Sequence, residues 1–228
     1  MRIDIIIPVS TDIWSESVRG ACLDIVSPDT DVRITTLDKG PESIESEYDE
    51  AFASPYVIKA AEQLEANGAE GIVIYCFGEP GLHPLKEKLK IPVVGIREAA
   101  VSTAKILGDN IGIISTLNTA TPRHRRVLGN EVKRVVSVDM PVLEFVNFKI
   151  LEERIENKVE ELISAGCDVI VLGCGSMLNI DVAKIQGQYE IPIVIPLYAA
   201  VSICEFLIKS RLTQSKIAYP FPPEKVIK

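Results

Sequence analysis

Two stretches of the chain lie over one another without a gap: AEQLEANGAEGIVIYCFG, residues 61–78, and VEELISAGCDVIVLGCGS, residues 159–176. Leu64 falls on Leu162, Gly68 on Gly166 and Cys76 on Cys174, a constant offset of 98 residues. Beyond a two-residue insertion, IPVVGIREAAVS matches IPIVIPLYAAVS, with Pro92 opposite Pro192 and Ser102 opposite Ser202. A long-period repeat of this kind makes a chain fold as copies of one plan. Each copy reads as a helix, a glycine, a run of Ile and Val, and a glycine turn that carries a cysteine.

Elsewhere short β-forming runs alternate with helical stretches. RIDIIIPVS is followed by WSESVRGACLDIVS, DVRITTLD, SPYVIKAAEQLEANG and GIVIYC. The second half continues with NIGIIST, a helix from about Pro122, KRVVSVD, EERIENKVEELISAG, DVIVLGC and IPIVIP. Continuous Ile and Val runs between helices imply parallel strands covered on both faces. The expected fold is therefore α/β: two pseudo-symmetric lobes, each a parallel sheet flanked by helices. Residues 1–97 with 199–228 form one lobe and 98–198 the other. Gly68, Gly108 and Gly166 are read as left-handed helix caps.

In open parallel sheets, ligands bind outside the carboxyl ends of the strands. Cys76 and Cys174 both fall there, one per lobe, so the repeat places two thiols across a cleft. A thiolate on one side can remove a proton from carbon while a thiol opposite returns one, which inverts the stereocentre. With each sulfur at about 3 to 3.5 Å from that carbon, the pair would stand roughly 7 Å apart. A free thiol ionises near pH 8.5 and needs help to act as a base at neutral pH. The turns Cys76-Phe77-Gly78 and Cys174-Gly175-Ser176 are expected to supply it, with amide N–H groups at a helix start favouring the thiolate. The same donors could hold a substrate carboxylate or an enolate-like oxygen. The other cysteines read as small buried hydrophobes: Cys22 in an amphipathic helix, Cys204 in VSICEFLI and Cys167 just past a cap.

Around these residues the sequence resembles the Asp/Glu/hydantoin racemase superfamily, most closely its hydantoin racemase branch. The resemblance covers nearly the whole chain. It rests on GPESIES at 40–46 with Tyr48-Asp49-Glu50, CFGEPGL at 76–82, IPVVGI-x-EAA at 91–100 and LGCGSM at 172–177. It implies a cofactor-independent mechanism between two α/β lobes, with Cys76 and Cys174 as the catalytic pair. Val9, Ser10, Thr11, Ser115 and Thr116 match positions that face the ligand in that family. Ser43 and Ser46 could contact ligand or cap the following helix. One departure stands out. The branch carries an Asn-Pro-Asn-type turn after its first strand, where this chain reads Ile7-Pro8-Val9-Ser10-Thr11-Asp12. A ring group left unpaired by that change would cost about 1–3 kcal/mol when buried.

Composition removes other classes. A formal net charge of -8 disfavours nucleic acid and anionic membranes as partners. The basic knot Arg123-His124-Arg125-Arg126 is read as a solvated helix face rather than a phosphate patch. The apolar run in MRIDIIIPVS is too short for a signal peptide and no segment is long enough to span a bilayer, so a cytoplasmic protein is expected. Five cysteines without a CxxC motif suggest neither a disulfide framework nor zinc. With only His83 and His124, no metal site is expected. Lys105 and Lys209 show no nucleotide or pyridoxal phosphate signature, and no P-loop is present. His83 is placed near the cleft mouth, Glu79 on the surface of its turn, and the Pro-rich segment Tyr219–Pro223 as an extended arm over a lobe or neighbouring subunit.

The expected activity is racemisation of a 5-substituted hydantoin or a related carbon acid by a homo-oligomeric enzyme with a small-molecule substrate and no cofactor. The alternatives are an aspartate/glutamate-type amino-acid racemase, an isomerase or decarboxylase of the same superfamily, or a non-catalytic two-lobed ligand-binding protein.

Overall fold

The computed structural model describes residues 1–225. Two four-stranded parallel sheets carry the fold. In the first, β1 (Arg2–Ile7) pairs with β2 (Asp31–Thr36) on one side and β3 (Gly71–Ile74) on the other, and β3 pairs with β4 (Val93–Gly95). In the second, β5 (Ile111–Ser115) pairs with β6 (Arg134–Ser137) and β7 (Val169–Leu172), which pairs with β8 (Ile193–Val194). The orders β2-β1-β3-β4 and β6-β5-β7-β8 are the same plan used twice. Ile3 stands beside Gly71 in one register and Ile111 beside Val169 in the other, so the repeat extends to strand alignment.

The inner strands β1, β3, β5 and β7 are buried along nearly their whole length because helices cover both faces. The first half contributes α1 (Ser15–Leu23), α2 (Glu47–Ala66), α3 (Leu82–Lys88) and α4 (Ile96–Leu107), and the second α5 (Thr121–Leu128), α6 (Phe148–Ser164), α7 (Val182–Tyr189) and α8 (Pro196–Lys209). Two helices change sides. α4 leaves β4 yet packs against β5, β7 and β8, whereas α8 leaves β8 and packs against β1, β3 and β4. They also pack on each other, and one buried cluster runs from Val73 through Ala100 and Ala200 to Val171. The halves thus share a core.

Gly68 and Gly166 occupy equivalent left-handed caps at φ 88° and 80°. Gly108 departs from the expectation: its φ is -167°, ordinary extended backbone. It is glycine because a Cβ there would meet the Asp168 carboxylate, which accepts from Asn110 N at 2.8 Å. α2 also begins seven residues earlier than the segment starting at Ser54 suggests. Ser46 and Asp49 form a capping box there, with the Ser46 hydroxyl accepting from Asp49 N at 3.2 Å. Pro55 lies inside α2, and the Ser54 hydroxyl donates to the Glu50 carbonyl at 2.6 Å one turn back. The C-terminal arm lies on the first half, where Lys216 Nζ donates to the carbonyls of Lys86, Glu87 and Leu89 at 2.8 to 3.0 Å. Tyr219 stacks on His83 with ring centroids 6.2 Å apart.

Candidate active site

Cys76 lies just beyond β3 and Cys174 just beyond β7, at the carboxyl edges of the two sheets, and both line one cavity of about 60 Å³. About 10 to 15 Å³ holds one water, so the space suits a small ligand. Val9 reaches it from the end of β1 and Thr116 from the end of β5. Ser43, Phe77, Gly78, Gly175 and Ser176 complete the part of the lining that the sequence suggested.

Three suggested residues lie elsewhere. Ser10 and Thr11 border a separate surface depression with Asp12 and Glu42, and the Ser10 hydroxyl donates to the Gly40 carbonyl at 3.2 Å. The chain turns about Pro8, where the Val9 amide donates to the Ile7 carbonyl at 2.8 Å, and carries Ser10 and Thr11 outward. Ser115 is wholly buried and off the cavity, its hydroxyl without a hydrogen-bond partner among the described residues. Ser46 serves as the cap of α2. His83 is not on the cavity wall; it packs under the C-terminal arm. Lys105 pairs with Glu131 and Lys209 with Glu205, both at the surface.

The two turns hold the sulfurs as the sequence suggests, with an opposite net result. Gly78 N donates to Cys76 Sγ at 3.4 Å, and the Ser176 amide and hydroxyl act on Cys174. These donors favour the thiolates, yet burial outweighs them. The Cys76 thiol is pushed up to about 12 by burial and by the charge of Glu50, and Cys174 to about 11 by burial, with Glu45 adding to the rise. Both thiols are therefore held in the neutral form. Neither turn runs directly into a helix, since α3 starts at Leu82 and α7 at Val182. The expected helix-start amides are therefore turn amides. Cys22 and Cys204 are fully buried and pushed up to about 12 by desolvation, as packed hydrophobes should be.

Glycine at 175 has a steric cause. A Cβ there would come within 2.8 Å of the Tyr75 ring, whose hydroxyl donates to the Gly175 carbonyl and ties the halves together at the cavity wall. Gly78 likewise leaves room for an ion pair between Glu50 of α2 and Arg123 of α5. Arg123 and His124 are the cavity-lining residues that the sequence hid. They are 7% and 3% exposed and line the cavity, whereas Arg125 and Arg126 are solvated, so the basic knot is only half a surface feature. The signal was the spacing, since Ala120, Arg123, His124 and Leu128 share one buried helix face. His124 packs its ring edge-on to Phe77 at 5.3 Å, and its Nδ1 has no hydrogen-bond partner among the described residues. Burial and the nearby Arg123 and Arg97 push the imidazole down to about 3, so it is neutral.

Glu79 is likewise buried rather than on the turn surface. It sits at φ 57°, 2.7 Å from Arg97, and accepts from Glu98 N at 2.7 Å, locking the turn after Cys76 onto α4. Three bonds cross between the halves around the start of α2. Glu45 accepts from Val142 N at 2.7 Å, Glu47 pairs with Arg126 at 2.8 Å, and Glu50 holds Arg123. Among the described residues no cluster of His, Cys, Asp or Glu could hold a metal ion, and no helix is long and apolar enough to cross a membrane.

The family model described as Asp/Glu/Hydantoin racemase matches residues 3–204. A hydantoin racemase of Paenarthrobacter aurescens is 32% identical over 238 residues, covering 99% of each chain. Allantoin racemase from Klebsiella pneumoniae superposes with a TM-score of 0.94 at 28% identity, covering 100% of this chain and 96% of that one. Allantoin racemase from Pseudomonas fluorescens superposes with a TM-score of 0.91 at 30% identity over the whole of both chains. By sequence along nearly its full length and by fold, the chain belongs to the Asp/Glu/hydantoin racemase family and is an isomerase of the racemase type.

Proposed function

We propose that the protein racemises a 5-substituted hydantoin or a closely related uncharged cyclic carbon acid, using Cys76 and Cys174 as opposed acid and base. The observation that carries this reading is that both cysteines, at equivalent strand ends of a duplicated fold, line one small cavity. The relatives support the substrate class, since one racemises hydantoins and two racemise allantoin, itself a 5-substituted hydantoin. The chemistry calls on no cofactor.

One thiolate removes the proton from C5 while the thiol opposite delivers its own to the other face. The negative charge moves onto the adjacent carbonyl oxygen, where amides of the Cys76 and Cys174 turns are the available donors. His124 offers the ring a neutral hydrogen-bonding edge. The cost lies in ionising a thiol. Each unit between its pKa and the ambient pH takes about 1.4 kcal/mol, so substrate binding must supply several units through the turn donors.

The charge on the lining supports an uncharged ring over an amino acid. Glu45 and Arg123 are the charged residues there, and Arg123 is bonded to Glu50. A substrate carboxylate would meet no unpaired cation, and a buried unpaired charge is heavily penalised. Incubating enantiopure 5-methylhydantoin with the enzyme in deuterated water tests the proposal. Deuterium should enter at C5 of inverted product, with turnover reduced at least a thousandfold in Cys76→Ala and in Cys174→Ala. Saturable binding with no exchange in the wild type would instead mark a binding protein.

A further inference from the structure

Arg123 presents an unusual combination. It lines the cavity and is 7% exposed, yet its guanidinium is bonded to a carboxylate from the other half of the molecule. That carboxylate, Glu50, is not on the wall but reaches Arg123 through the space that glycine at 78 leaves open. The other ionisable residue on the wall, Glu45, is an acid rather than a base, and His124 is neutral. Among the described residues the cavity therefore has a single lining cation, and Glu50 holds it.

We propose that Glu50 is a positioning residue that sets specificity: by holding Arg123 it withdraws the cavity's one cation from the ligand, so the site admits an uncharged molecule and turns away free carboxylates. This deepens the reading of an uncharged ring substrate and rests on it for biological meaning. The physical claim, that the cavity discriminates by charge through Glu50, can be tested without a substrate. Protonating or neutralising Glu50 leaves Arg123 with hydrogen-bonding capacity and a full positive charge to offer an incoming anion. The groups facing Glu50 are Arg123 on α5, Arg97 on α4, Glu47 on α2, and Glu79 and Cys76 in the turn after β3. Burial pushes its carboxyl up to about 7 against the pull of the two arginines, so the same release should occur in the native protein as pH falls from 8 to 6.

Iodoacetamide and iodoacetate are small alkylating agents of nearly equal shape that differ in charge. Both react with the thiolate, so the ratio of their rates at one cysteine cancels any change in thiol pKa. The ratio at Cys76 and Cys174 is read by peptide mass analysis and normalised to a free thiol. At pH 8 the wild type should favour iodoacetamide at least tenfold beyond the free thiol. Glu50→Gln should remove most of that preference, and Glu50→Gln with Arg123→Gln should restore it. Wild-type protein moved from pH 8 to pH 6 should shift the same way, and Glu50→Gln should show no such shift; this native arm stands whatever the variants' stability. A ratio unmoved by Glu50→Gln and by pH would overturn the proposal, as would a pH shift that persists in Glu50→Gln. Failure of the hydantoin reading would appear instead in the deuterium experiment and leave this ratio unaffected.

Discussion

At the scale of single residues, the cavity is shaped as much by missing atoms as by functional groups. Gly175 has no Cβ, so the Tyr75 ring of the opposite half can close against it and donate to its carbonyl. Gly175→Ala should destabilise the protein by about 1–3 kcal/mol by overpacking this contact, a loss readable from denaturant midpoints. It should also reduce turnover, because the carbonyl displaced follows directly on Cys174. The cysteines themselves were legible in the sequence because an ungapped repeat fixes them on equivalent strand ends. Their ionisation was not legible, since it depends on how completely the halves enclose them, and desolvation outweighs the turn donors. Arg123 and His124 were hidden by adjacent Arg125 and Arg126: four polar residues in a row look solvated unless helical spacing is followed across them. Ser10, Thr11 and Ser115 show the reverse failure. Position along a strand end is readable, but the face that a side chain takes depends on turn and pleat.

Among the elements, α2 connects capping chemistry to the site. Ser46 caps it, and its first turns then present Glu47 and Glu50 to α5 of the other half. Ser46→Ala removes the hydroxyl that accepts from Asp49 N and donates to Asp49 Oδ2, and should cost about 1 kcal/mol in equilibrium unfolding. Ser46 is not on the cavity wall, so kcat with a hydantoin substrate should fall less than threefold. A tenfold loss at unchanged stability would place Ser46 in the site. The early start of α2 was obscured by Pro55, which usually signals a helix boundary. Here the capping box upstream and the Ser54 hydroxyl bond let the helix run through it. The glycine caps at 68 and 166 were readable because a left-handed residue is nearly a glycine signature. Gly108 was misread because its reason is a neighbour 60 residues away, Asp168.

For the whole molecule, duplication explains both the architecture and its limits. Two sheets of one order exchange helices, so α4 seals the second sheet, α8 seals the first, and the core passes between them. The repeat made the two-sheet plan readable, because continuous Ile and Val runs are stable only as covered parallel strands. The ionic clasp between halves was not readable, since Glu45, Glu47 and Glu50 meet Val142, Arg126 and Arg123 only after folding. The central claim is that each half contributes one base aimed at one face of the same carbon. Proton exchange at C5, followed separately for each pure enantiomer in deuterated water with Cys76→Ala and Cys174→Ala, tests it directly. Each variant should lose inversion but still exchange one enantiomer with retention, and the two variants should exchange opposite enantiomers. If both exchange the same enantiomer, or either still inverts at the wild-type rate, the two thiols do not flank one carbon.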